Sequence, residues 1–76
     1  MKFTSNIEVF DVDIPLLTKC FQVELERLQT KRCEVEFKTE KDSIVFNLKA
    51  TDSVALRASL NGITKLITTF EKASEV

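Results

Sequence analysis

Histidine, tryptophan and tyrosine are absent from this 76-residue sequence. Without His the chain lacks the usual general base and the commonest transition-metal ligand. Without Trp and Tyr it lacks two of the best platforms on which a nucleobase can stack. A single Gly and a single Pro leave few places for the chain to break, so its elements should be closely joined. The two cysteines, Cys20 and Cys33, are too few for a disulfide framework and do not form a CxxC pair, so both read as small hydrophobes. No apolar run approaches the ~20 residues that a membrane span requires. The opening Met1-Lys2-Phe3-Thr4-Ser5-Asn6 has no signal-peptide core, which predicts a cytoplasmic protein in a reducing compartment. P-loop, GxGxxG, zinc-ligand and nucleophile motifs are all missing. The expectation is a protein that is not an enzyme and holds no cofactor and no metal.

What is present is ordinary globular composition: 43% hydrophobic and 30% charged residues, with a net charge of −1 and a pI near 5.4. One domain over residues 1–76 follows from the length, and a chain this short buries only about 60% of the surface it exposes when unfolded. Its core should be thin. The slightly acidic balance argues against a domain that grips nucleic acid by itself through phosphate neutralisation.

Periodicity supplies the elements. Phe3, Ser5, Ile7 and Val9 alternate with Lys2, Thr4, Asn6 and Glu8, the pattern of a half-buried strand. Cys33, Val35 and Phe37 alternate with Glu34, Glu36 and Lys38. After a polar Thr39-Glu40-Lys41-Asp42 connection, Ile44, Phe46 and Leu48 alternate with Val45, Asn47 and Lys49, which makes a hairpin. One apolar and one mostly charged face per strand predicts an antiparallel sheet covered on one side.

Between the first two strands, Asp13 and Pro15 mark a helix start. Ile14, Leu17, Phe21, Leu25 and Leu28 form its sheet-facing stripe, and Glu24 to Gln29 reads as continuing helix. A second line, Leu16, Cys20, Val23 and Arg27, either packs against the other helix or receives a partner. The second helix should begin between Thr51 and Ser53 and put Leu56, Leu60, Ile63, Ile67 and Phe70 on the core. A lane of small residues, Ala55, Ser59, Gly62 and Ala73, runs beside that stripe. Gly62 is poor inside a helix, so it is either tolerated or allows another backbone to come close. Arg57, Asn61, Thr64, Lys65 and Thr68 make the remaining face.

The order strand, helix, strand, strand, helix matches a ferredoxin-like unit without its last strand. A right-handed crossover gives an α+β two-layer sandwich, strand order 1-3-2, with two helices on one face. The missing strand would have covered strand 1, so the edge carrying Phe3, Ser5, Ile7 and Val9 is left open. An open edge is either blunted or paired, and pairing with a second copy is the expectation.

The carboxylate pairs Glu24/Glu26 and Glu34/Glu36 show the spacing of solvated alternation and do not look convergent, as acid–base work requires. Arg27, Lys31 and Arg32 either favour the negative end of the helix dipole or meet phosphate.

The stretch Phe46-Asn47-Leu48-Lys49-Ala50-Thr51-Asp52-Ser53-Val54-Ala55-Leu56-Arg57-Ala58-Ser59-Leu60-Asn61-Gly62 resembles the signature of the Pcc family, the smallest subunit of the KEOPS complex. In that family a strand ending in Ala and a nearby Asp lead into Leu-Arg-Ala-Ser and an Asn. Family members often carry a Pro-acidic segment after the first helix and Ser at the position of Gly62. The resemblance implies a subunit without an active site, a homodimer or a heterodimer with a paralogue. It also implies docking through the two helices onto a catalytic subunit of ATPase fold that installs threonylcarbamoyl on tRNA adenosine. Contact with tRNA would occur only as part of that complex. On this reading Leu16, Cys20, Val23 and Arg27 of the first helix, with Arg57, Ala58, Asn61 and Lys65 of the second, form the partner surface. The alternative is a stand-alone small RNA-binding domain using Lys and Arg on the exposed sheet face or at the helix ends. A small-molecule regulatory domain has only the generic architecture in its favour.

Overall fold

Alternation along the first strand is realised residue by residue. In the computed structural model, which describes residues 1–74, β1 (Phe3–Phe10) half-buries Phe3, Ser5, Ile7 and Val9 and exposes the residues between them. It pairs antiparallel with β3 (Ser43–Ala50), from Phe3 opposite Ala50 to Phe10 opposite Ser43. On the other side of β3 lies β2 (Cys33–Thr39), with Cys33 also opposite Ala50. The sheet is open, antiparallel and ordered β1-β3-β2, as the crossover argument required.

The central strand departs from simple alternation, because Ser43, Ile44, Val45 and Phe46 are all buried. Val45 points away from the helices. Glu8 and Lys38 stand directly opposite it on the two flanking strands, and their long stems can shade it. Ser43 donates to Glu8 Oε2 at 2.6 Å, and Asn6 Nδ2 donates to Asn47 Oδ1 across the same face.

Helix α1 (Ile14–Leu28) is capped by Asp13, which accepts from the Leu16 N–H at 3.2 Å, with Pro15 in the first turn. It runs without a break through Glu24 to Leu28, and Gln29, expected to continue it, is instead its extended C-cap. Helix α2 (Ser53–Ser74) is capped by Asp52, which accepts from the Ala55 N–H at 2.8 Å. Leu28 meets Gly62, while the start of α1 shares a groove with Ile67 and Phe70, so the helices run antiparallel.

Between the layers Leu17, Phe21, Val35, Ile44, Phe46, Leu48 and Ile63 are sealed from solvent, with Cys33 filling a small space among them. Phe21 is the centre. Its ring stands edge-on to Phe37 at 5.0 Å and tilted against Phe46 at 4.6 Å.

The helical stripes differ from the sequence reading in three places. Ile14 lies outside the core cluster, beside Pro15 and the Lys41–Asp42 turn, and Val12 packs against the core instead. On α2 the deepest positions are Ala55, Ser59 and Ile63, while Leu56, Leu60, Leu66, Ile67 and Phe70 flank them partly buried. The small lane therefore faces inward, where short side chains let α2 lie close to the sheet and to α1. Gly62 receives the Leu28 side chain rather than a foreign backbone, and Ser59 Oγ donates to the Leu28 carbonyl at 3.4 Å. Ala73 is exposed and takes no part.

Candidate functional site

Among the described residues, the carboxylate pairs Glu24/Glu26 and Glu34/Glu36 lie on different elements, α1 and β2. Glu34 and Glu36 are exposed on the outer face of β2, and Glu24 pairs with Arg27 at 3.2 Å. Among the described residues no three His, Cys, Asp or Glu side chains come together as a metal site would require. Among the described residues no helix is long and apolar enough to cross a membrane.

On α1, Val23 is 77% exposed and Leu16 48% exposed. Both are apolar, and both keep much of their surface in solvent, although Leu16 borders Ile67 and Phe70 of α2. Cys20 between them is half-buried. On α2, Arg57, Ala58, Asn61 and Lys65 are all exposed.

The structure brings only part of this set together. Arg27, Ala58 and Lys65 line one shallow groove between the helices, floored by Leu28 and Gly62. Leu16 lines a separate groove at the other end, with Val12, Ile67, Phe70 and the 60%-exposed Phe10. Cys20, Val23, Arg57 and Asn61 line neither. Phe10 takes the outward place that alternation gives it, on the face of Thr4, Asn6 and Glu8, and a large apolar ring at such a position is the signal by which the sequence points to it.

At the sheet edge, Phe3, Ile7 and Val9 turn their side chains inward against the core, and Ser5 lies on the same inner face. What β1 offers outward is its backbone, so any pairing there would be a matter of main-chain N–H and C=O groups. The strand order leaves β2 as a second open edge, which the missing-strand argument did not bring out.

The basic run separates. Arg27 lies in the last turn of α1. Lys31 and Arg32 lie in the turn beyond it, where Arg32 pairs with the cap residue Asp52 at 3.2 Å and its carbonyl accepts from the Thr51 N–H at 2.9 Å. Lys2 and Lys49 join Lys31 and Arg32 around the same end of the sheet. Lys2, the adjacent Lys31 and Arg32, and Lys49 come from three distant stretches of sequence, and only the strand register reveals the cluster.

No curated protein and no solved structure matches the chain. A family model described as transcription factor Pcc1 matches residues 16–75, which takes in nearly all of α1, the β2–β3 hairpin and α2 with its Asp52 cap. With well over half of its length matched, the chain belongs to the Pcc1 family.

Proposed function

We propose that this chain is a single-domain, non-catalytic, cytoplasmic scaffold subunit of a KEOPS-like tRNA-modification complex. It dimerises with a second copy or a paralogue through the β1 edge. Its helices dock the ATPase-fold subunit that transfers threonylcarbamoyl, and it helps present tRNA to that subunit.

The observation that carries this reading is the exposure of Leu16 and Val23 on a line of α1 that ends at Arg27, which borders a groove with Ala58 and Lys65. In a domain with so little core, apolar side chains left outside are better explained by a partner than by stability, and a mixed apolar and cationic surface suits helix-on-helix docking. Membership of the Pcc1 family supports a small-subunit role, and the resemblance over Phe46 to Gly62 is the ground for this choice of partner.

Val23→Asp and Ala58→Arg test it. Both positions are exposed, so circular dichroism and the mass of the free chain should not change. Capture of the catalytic subunit should weaken by at least about tenfold, or roughly 1.4 kcal/mol, as an unpaired charge or excess volume enters the contact. Native affinity in both variants would place the docking surface elsewhere. A stand-alone RNA-binding domain would instead keep sub-micromolar affinity for tRNA at physiological salt without any partner.

A further inference from the structure

One end of the sheet carries a concentration of positive charge that the net charge of −1 conceals. The register sets Lys49 of β3 between Thr4 and Glu34. Just beyond it, the Thr51–Arg32 backbone bond extends the pairing of β3 with β2, and Lys2 lies at the start of β1. With Lys31 in the adjoining turn, four cations line one shallow depression with the hydroxyl-bearing Thr4 and Thr51. Two carboxylates oppose them, Glu34 and Asp52, and Asp52 is engaged by Arg32 at 3.2 Å. Lys2, Lys31 and Lys49 are exposed, and none of them is held in an ion pair.

We infer that this end of the sheet binds the phosphate backbone of RNA. The assignment of RNA rests on the tRNA reading given above, while the site itself rests on the charge cluster. The apolar residues lining the depression, Phe3, Cys33 and Ala50, are buried or half-buried. The patch therefore has no apolar side chain to insert into a membrane and no exposed ring to stack on a base. Its contacts are cation to phosphate and hydroxyl to phosphate, which position a strand without reading its sequence. This supplies the chain with a role in holding tRNA on a surface separate from the partner-facing side of the helices.

The test uses the full chain and an unmodified tRNA transcript, followed by fluorescence anisotropy across a salt series starting at low ionic strength. Three free lysines predict a log–log slope of about −2 to −3 per protomer. Combining Lys2→Gln, Lys31→Gln and Lys49→Gln should weaken binding at the lowest salt by more than about tenfold and flatten the slope towards zero. Combining Lys19→Gln, Lys41→Gln and Lys72→Gln changes net charge equally, at exposed positions on α1, in the β2–β3 turn and near the end of α2. That control should keep the wild-type slope, and polyuridylate should compete with tRNA.

Equal losses in the two triple variants, or no salt-dependent binding by the wild-type chain, would overturn the inference. So would stronger lysine-dependent binding of duplex DNA, anionic vesicles or polyglutamate than of tRNA. Capture of the catalytic subunit by the Lys2, Lys31 and Lys49 variant reads the helix surface independently, so failure of the phosphate site and failure of the docking proposal give different results.

Discussion

Gly62 offers a test in which two effects of similar size oppose each other. Inside a helix Gly is about 1 kcal/mol less favourable than Ala, so propensity alone predicts that Gly62→Ala stabilises the protein by that amount. The added Cβ would overlap the Cδ2 methyl of Leu28, the far end of a side chain that is partly buried against the core. Truncating a fully buried Leu to Ala costs about 2 to 5 kcal/mol, so displacing a half-buried one should forfeit roughly 1 to 2 kcal/mol. The net expectation for Gly62→Ala is between no change and a loss of about 1 kcal/mol. In a Leu28→Ala background the space is already vacant, and the same substitution should stabilise by about 1 kcal/mol. The double-mutant cycle should therefore show a coupling of about 1 to 2 kcal/mol. Urea unfolding at one fixed protein concentration measures it, since any self-association shifts apparent stability. An equal gain of about 1 kcal/mol in both backgrounds would refute the argument that Leu28 occupies the space beside Gly62.

Asp52 caps α2 and also pairs with Arg32, so Asp52→Ala should cost about 1 to 2 kcal/mol in thermal or urea unfolding, whereas Arg32→Gln, which loses only the exposed ion pair, should cost less than about 1. Asp11 has a φ of 54°, in the left-handed region that a β-branched residue disfavours. Asp11→Val should lower stability by about 1 to 2 kcal/mol while Asp11→Asn changes it little, and equal stabilities would remove strain from the account of this turn. On α1, Phe21→Ala should cost about 3 to 5 kcal/mol and Val23→Ala less than about 0.5, so comparable losses would contradict the burial assigned to the two residues.

The fold was legible because its elements are short, strongly alternating and capped by residues that announce themselves. Phe3 to Val9 and the β2–β3 hairpin carry a period of two, and Asp13, Pro15 and Asp52 mark the helix starts. Given that order, handedness fixed the strand arrangement. Less legible was the depth of individual helical positions. Size and hydrophobicity favour Leu56 and Leu60 over Ala55 and Ser59 as core positions, yet a helix that lies close to a sheet puts its smallest side chains at the point of nearest approach. Likewise Ser43 and Val45 look solvated by alternation, and they are buried because a central strand is shaded by neighbours on both sides.

Surfaces follow different rules from cores. The line Leu16, Cys20, Val23 could be drawn from helical spacing alone, since its members lie within two turns of one helix. Whether those residues face a neighbour or solvent depended on how α2 lies along α1: Leu28 meets Gly62 and Leu16 borders Ile67 and Phe70, while Val23 stays in solvent. The basic cluster is the opposite case: Lys2, Lys31 and Lys49 share no local pattern, and the run visible along the chain is Arg27, Lys31 and Arg32. Antiparallel pairing folds three distant stretches so that the start of β1, the turn before β2 and the end of β3 meet at one place. Charge that averages to −1 along the chain is thereby sorted in space, and a net charge that argues against unaided nucleic-acid binding does not bear on what one end of the sheet can hold.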